Sequence, residues 1–302
     1  MSDLIHAVGY RKLPQGPRKS PIWPIARTLV ALALRKRATK VVLALCLGVL
    51  IGHALWLTVQ LLSMRYASEF DLRRAPLGIT DIIGRVEEVI ASYLVVQFYF
   101  TVPAIAVVAG GAIAEDRRAG AFELYFSRPL TRMSYALGKL LGTAATALVT
   151  LVGATGLLWL MAVGIAPEDL RKDLWHIAVP ALTGALLGTL VLTSMLMGLS
   201  AVSRRSTSVA VAFVALVVVG AGVSESLAEA GELWGGYLSP ERDLRTLINY
   251  MLSLGSPSLS ASLVPTRALV NADVGLSALA LFGFIGAGLG AFWLALRREV
   301  RS

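Results

Sequence analysis

Six long apolar stretches, each ended abruptly by charge, constrain this chain more than any other feature. They run roughly Val41–Leu62, Ala91–Ala114, Tyr135–Gly164, Trp175–Val202, Thr207–Leu227 and Val274–Leu296. A bilayer core of about 30 Å takes about 20 helical residues to cross, and each stretch is long enough. Alternating segments of about 10 residues, the mark of a membrane β-barrel, are not seen. Only 16% of the 302 residues are charged, against about 25% in an ordinary soluble domain. The fold class is an all-α polytopic membrane protein with six transmembrane helices.

The net charge of +9 would suggest nucleic acid in a soluble chain. Its distribution points to a membrane instead. With both termini in the cytosol, the inner segments hold 19 of the 28 lysines and arginines and the outer segments 9. The acids divide the other way, 5 inside and 14 outside. That asymmetry fixes the expected topology: a multi-pass protein with cytoplasmic N- and C-termini, lipid as a partner, and no nucleic acid.

Between the spans, residues 1–40 form a cytosolic tail and an interfacial helix, and 41–302 the six-helix membrane domain. Gly9, Pro14, Gly16, Pro17 and Pro21 make the first residues a poor helix. The first long apolar run begins only near Val41, so no cleavable signal is expected. Pro24 suits a helix start. From Ile25 to Lys40, Ile25, Leu29, Leu32 and Ala33 share a face opposite Arg27, Arg35, Lys36, Arg37 and Lys40, the pattern of a helix lying in the interface. Ile79–Ile90 reads as a short helix on the outer surface, and Pro103 as a kink in the second span. Gly110 and Gly111 allow a close neighbour. Gly184 with Gly188, and Gly286 with Gly290, have the spacing that lets membrane helices approach. The segment 228–273 is too polar to cross. Leu244, Leu247, Ile248, Met251 and Leu252 give it one apolar face, and Gly255, Pro257 and Pro265 break it. Short helices resting on or dipping into the outer leaflet are expected there.

Catalytic motifs are missing. Gly138-Lys139 lacks the upstream glycine and following hydroxyl of a nucleotide-binding loop. No HExxH or GxSxG occurs, and the three histidines, His6, His53 and His176, are too few and too scattered for a metal cluster. The single cysteine, Cys46, reads as a small buried apolar side chain. His53 is the one ionisable residue well inside a span and reads as neutral and hydrogen-bonded. Glu225 reads as a residue at the outer boundary. With so little charge inside the spans, the energy source is expected to lie outside the polypeptide, and the chain is not expected to be an enzyme.

The densest charge between two apolar runs lies from Glu115 to Lys139. Glu115, Asp116, Arg117 and Arg118 end one run, and Arg128, Arg132 and Lys139 lead into the next. Ala119, Phe122 and Phe126 share one face, which suits an amphipathic helix over about 115–126 at the cytosolic boundary. An ordinary solvated loop with a snorkelling face is the alternative; Lys139, near the cytosolic end of the third span, is expected to snorkel to water in either case.

The run Ile113-Ala114-Glu115, Gly120, Glu123, Ser127-Arg128-Pro129-Leu130, Arg132 and Gly138-Lys139-Leu140 resembles the signature of ABC-type-2 transporter permeases. It departs at Ala121-Phe122, where that family often has threonine and leucine. The six-span layout agrees, and the chain is most similar to the simple permeases of the nitrous-oxide reductase maturation type. The resemblance implies a non-catalytic subunit of an exporter in a bacterial-type inner membrane. It would pair with a second permease copy as a homodimer, over two cytosolic ABC ATPase subunits that hold the ATP and Mg. Glu115, Arg118, Gly120, Phe122, Glu123, Phe126, Pro129 and Arg132 would then form the coupling segment seated on the ATPase. Phe122 and Phe126 can anchor such a contact. Gly120 costs about 1 kcal/mol in a helix interior, which suggests a close backbone approach there. Two other readings compete: a membrane scaffold without transport, and an ion-coupled carrier. The second is disfavoured by the scarcity of buried charge and by the lack of an internal repeat.

Overall fold

A computed structural model of the chain describes residues 21–69, 79–121, 130–166, 168–252 and 273–299. Among them the regular structure is helical, and six helices are long and apolar enough to cross a membrane. The long elements are α1 (Ile22–Arg35), α2 (Arg37–Glu69), α3 (Ile79–Ala109), α5 (Arg132–Ala147), α6 (Ala154–Ile165), α8 (Trp175–Val202), α9 (Ser206–Glu229), α10 (Pro240–Met251) and α11 (Val274–Glu299). Two short helices, α4 (Ala114–Arg118) and α7 (Glu168–Arg171), lie in the connections.

α8 is the axis of the bundle. Some 72% of its most apolar stretch is buried, against 11% for α2 and 17% for α9 and α11. The last three therefore turn broad apolar faces outward: Val41, Leu55 and Val59 on α2, Val211 and Val219 on α9, Leu279 and Phe282 on α11. Such faces suit lipid or a second membrane subunit rather than water.

α1 is separated from α2 by a single extended residue, Lys36 (ψ 132°). Its apolar face lies on protein. Ala26 and Ala33 are buried, and a Cβ at Gly138 or Gly142 of α5 would meet Ile25 at 2.8 Å or the Ala26 backbone at 3.1 Å. The five bases expected to face water, Arg27, Arg35, Lys36, Arg37 and Lys40, are all exposed.

Three expectations change. Residues from Ile79 to Ile90 are not a separate surface helix. They are the first turns of α3, which runs unbroken through Pro103, because Val86, Val89 and Ile90 are fully buried against the bundle. The third span is not a plain α-helix: a π-helical turn, Leu148–Gly153, joins α5 to α6. A widened turn strains the backbone ladder, and here neighbouring side chains offer partners. Tyr93 Oη donates to the Thr150 carbonyl at 2.9 Å, and the hydroxyls of Thr101 and Thr150 lie 3.0 Å apart. The third change concerns glycine spacing. Among the described residues nothing lies within 4 Å of a Cβ built on Gly286 or Gly290, and the close crossing of α8 and α11 is made by Gly198 and Gly288, where a Cβ on Gly198 would lie 2.7 Å from the Gly288 carbonyl oxygen. Gly184 and Gly188 do admit a neighbour, and that neighbour is α10. Their added Cβ atoms would meet Ile248 at 2.7 Å and Leu244 at 3.1 Å.

α10 therefore packs on protein. Leu244, Ile248 and Leu252 are buried against α8, and the helix is held among the spans. Its N-terminus is well made: Ser239 caps it, accepting from the Arg242 amide at 3.3 Å, and Pro240 takes the first position. Gly255, Pro257 and Pro265 lie outside the described residues.

Candidate functional site

The segment with the dense charge begins where α3 stops. Gly110 to Ile113 form a turn, and α4 starts at Ala114. One serine of α8 stitches this break. Ser200 Oγ accepts from the amides of Ile113 (3.2 Å) and Ala114 (3.3 Å) and donates to the Gly110 carbonyl at 3.1 Å. Ser200 is fully buried, so these groups have no water to turn to. Gly110 and Gly111 thus mark the helix break; a Cβ at Gly111 would collide with the Glu115 carboxylate.

α4 is then pinned on two sides. Arg117 Nη1 donates to the carbonyls of Ala201 (2.8 Å) and Val202 (3.1 Å), the last residues of α8, where a cation also answers the helix dipole. Asp116 accepts from Lys139 Nζ at 2.6 Å and from Tyr135 Oη at 2.7 Å. Lys139 also donates to the Ala112 carbonyl at 2.6 Å. Lys139 does not snorkel to water as expected. It is 13% exposed, because Asp116 and a carbonyl at the α3 break hold it inward. Thr131 caps α5, accepting from the Ser134 amide at 3.1 Å.

The sequence-predicted residues fall into two groups. Glu115, Arg118, Gly120 and Arg132 are exposed around α4 and the start of α5. Phe122, Glu123, Phe126 and Pro129 lie outside the described residues. The helix expected over 115–126 is interrupted, since α4 ends at Arg118 and Gly120 takes φ +64°. Among the described residues no atom lies within 4 Å of a Cβ built on Gly120, so its surroundings in this chain leave room for a partner, and the glycine also has a role of its own. It provides the left-handed conformation that turns the chain out of α4. Asp116, Arg117, Tyr135, Lys139 and Ser200 were not singled out from sequence as a group. Only the crowding of charge at 115–118 hinted that some of it would be turned inward.

Behind α4 lies a cavity of about 380 Å³ between α1, the end of α3 and α5. Leu29, Leu32 and Val108 give it apolar walls, and Lys36, Glu115 and Asp116 line its polar part. α1, α4 and α5 thus form one clamped unit at the end of α8.

Within the spans, Cys46 is buried with its Sγ 3.5 Å from the Phe100 carbonyl, as a small core side chain should be. His53 Nδ1 lies 3.0 Å from the Val49 carbonyl and Nε2 lies 3.4 Å from Ser92 Oγ, which fits the hydrogen-bonded reading. Buried charge gathers in α10, which is not one of the six spans: Glu241, Arg242, Asp243 and Arg245 are all buried. Glu225, near the C-terminal end of α9, lies within electrostatic reach of Arg242 and Arg245. Among the described residues no cluster of metal-ligating side chains occurs.

Residues 26–292 match a family described as ABC-2 family transporter protein. No curated protein matches the chain.

Proposed function

The chain belongs to the ABC-2 family of transporter proteins, and on that premise we propose that it is the permease subunit of an ATP-driven exporter, coupled through the α4 region to a separate ATPase. The observation that carries this reading is the contrast within α4. Asp116 and Arg117 are tied into α5 and α8, whereas Glu115, Arg118 and the turn at Gly120 are exposed beside them. A docking element needs a rigid base and an open face, and charges on that face set register and association rate.

In this reading two copies of the permease pair, and two cytosolic ABC ATPase subunits bind ATP and Mg beneath them. Phe122 and Phe126 anchor the contact, and Glu123, Pro129 and Arg132 complete it. ATP-driven closure of the ATPases pushes α4; the clamp passes the motion to α5 and to the end of α8, and the spans move between two arrangements. This chain contributes no catalytic group. Residues 1–40 are its cytosolic tail and interfacial helix, and 41–302 its membrane domain. It lies in a bacterial-type inner membrane, surrounded by lipid, with both termini in the cytoplasm.

The test is co-purification from native membranes followed by ATP hydrolysis. The complex should retain an ATPase and show vanadate-sensitive turnover, and Phe122→Asp should release the ATPase while the permease still folds. Undiminished ATPase binding by Phe122→Asp would remove the coupling assignment.

A further inference from the structure

α10 carries four charged residues in its first six positions, and all four are buried. Three of them are accounted for. Glu241 pairs with Arg245 on the next turn and accepts from Tyr99 Oη of α3 at 3.1 Å. Arg242 packs against the backbone at Gly236, in the 3₁₀ turn Leu233–Leu238, and its charge acts on Glu225 of α9. Asp243 is different. It is 1% exposed, and neither carboxylate oxygen makes a hydrogen bond of regular geometry, although the Ser277 hydroxyl stands close enough to favour the anion. An ionised carboxylate so enclosed loses its hydration without replacement, at a cost no helix this short can carry easily.

The groups around Asp243 do not remove that cost. On α10 itself, Arg242 favours the anion and Glu241 opposes it. From α11, fully buried Ser277 faces it, a hydroxyl that can stabilise but not neutralise. From α3, Tyr99 is engaged with Glu241. From α9, Glu225 adds an acid close to Arg242 and Arg245, with Glu229 beside it. In the 3₁₀ turn, Tyr237 Oη accepts from the Asp273 amide at 3.1 Å. α8 meets α10 through Gly184 and Gly188, which bring no charge. With Ser277 buried beside it, the ligand that fits this carboxyl is a proton.

We propose that Asp243 is a proton-binding site that latches α10 in the bundle: with the carboxyl protonated the helix stays seated between α8 and α11, and loss of the proton to water releases it. Burial pushes the Asp243 carboxyl up from the ordinary aspartate range to about 7, with Glu241 adding to the shift. The seated form therefore binds a proton that the released, hydrated form has already lost. Seating is favoured at low pH, weakens as pH rises from about 4 to about 7, and is constant above that. This assignment needs neither the ATPase partner nor a particular orientation in the membrane.

The test uses the full-length chain in lipid nanodiscs. Hydrogen exchange at residues 240–251, corrected for the intrinsic pH dependence of exchange, should speed up about tenfold per pH unit between pH 5 and 7 and then level off. In Asp243→Asn that slope should vanish. Infrared spectra should show a protonated carboxyl at pH 6 that is lost at pH 9 and missing in Asp243→Asn. If Asp243→Asn does not fold, aspartate-selective ¹³C labelling of the unsubstituted protein reads the same carboxyl. A flat exchange profile, an unchanged slope in Asp243→Asn, or no protonated aspartate at pH 6 overturns the assignment.

Discussion

Lys139 Nζ lies 2.6 Å from Asp116 Oδ2 and 2.6 Å from the Ala112 carbonyl oxygen. A lysine two turns into α5 thus reaches back across the break between α3 and α4. Both side chains are mostly buried, at 13% and 17% exposure. Removing either one leaves the other charge stranded, and removing Asp116 also takes away the acceptor of the Tyr135 hydroxyl.

Asp116→Ala and Lys139→Ala should each lower stability by about 3 kcal/mol. The double substitution should cost less than the sum of the two. Denaturant unfolding of the three variants in detergent measures this. Additive losses would mean that the contact does not couple the two helices.

Ser200→Ala deletes one hydroxyl and orphans two amides and a carbonyl at once. A loss of about 1–3 kcal/mol is expected. If α4 is the coupling element, nucleotide turnover by the complex should fall further than stability does, because the base of α4 loosens before the bundle unfolds. Parallel measurements of melting temperature and ATP hydrolysis separate the two effects. Equal decline in both would reduce Ser200 to a packing residue.

The spans were legible because hydrophobic length is a direct physical requirement of the bilayer. Trp175–Val202 is read identically from sequence and structure, and the fifth and sixth spans differ by a few residues at their ends. The joints were not legible. Nothing in Leu148–Gly153 announces a π-turn; it follows from Tyr93 and Thr101, about fifty residues away in the chain. Periodicity correctly gave α10 an apolar face through Leu244, Ile248 and Leu252, but it could not say whether lipid or protein covers that face. Its acidic and basic residues suggested water, and the helix is buried because those charges satisfy one another or are neutralised. At α4 the charge run was visible, but which members face inward depends on Ser200, Tyr135 and the end of α8. At Gly120 the sequence showed an unfavourable helix residue, and the φ of +64° adds that it turns the chain.

The two glycine pairs of α8 and α11 give opposite expectations. Gly198→Ala would place a methyl 2.7 Å from the Gly288 carbonyl oxygen, and backbone cannot yield as a side chain does. A cost of about 1–3 kcal/mol follows. Gly286→Ala meets nothing within 4 Å and gains helix propensity, so it should be neutral or stabilising by up to about 1 kcal/mol. Thermal unfolding of both variants checks the pair. A loss at position 286 as large as that at 198 would show that a second subunit covers this face of α11.

The pair Glu241–Arg245 should behave as a buried ion pair in a low dielectric does. Arg245 Nε donates to Glu241 Oε1 at 2.8 Å, and the two side chains are 7% and 5% exposed. Arg245→Met leaves Glu241 charged and enclosed, with Tyr99 as its remaining support from α3, at a cost of about 3–5 kcal/mol. Glu241→Gln in the same chain should recover most of that loss, since the stranded charge is then gone. Tyr99→Phe removes one hydrogen bond to a charged acceptor, a loss of about 1.5–3 kcal/mol. Unfolding curves for the single and double variants at one pH, with the Asp243 state held constant, decide it. Failure of Glu241→Gln to rescue Arg245→Met would mean that Arg245 holds α10 through Glu225 of α9 rather than through its own turn.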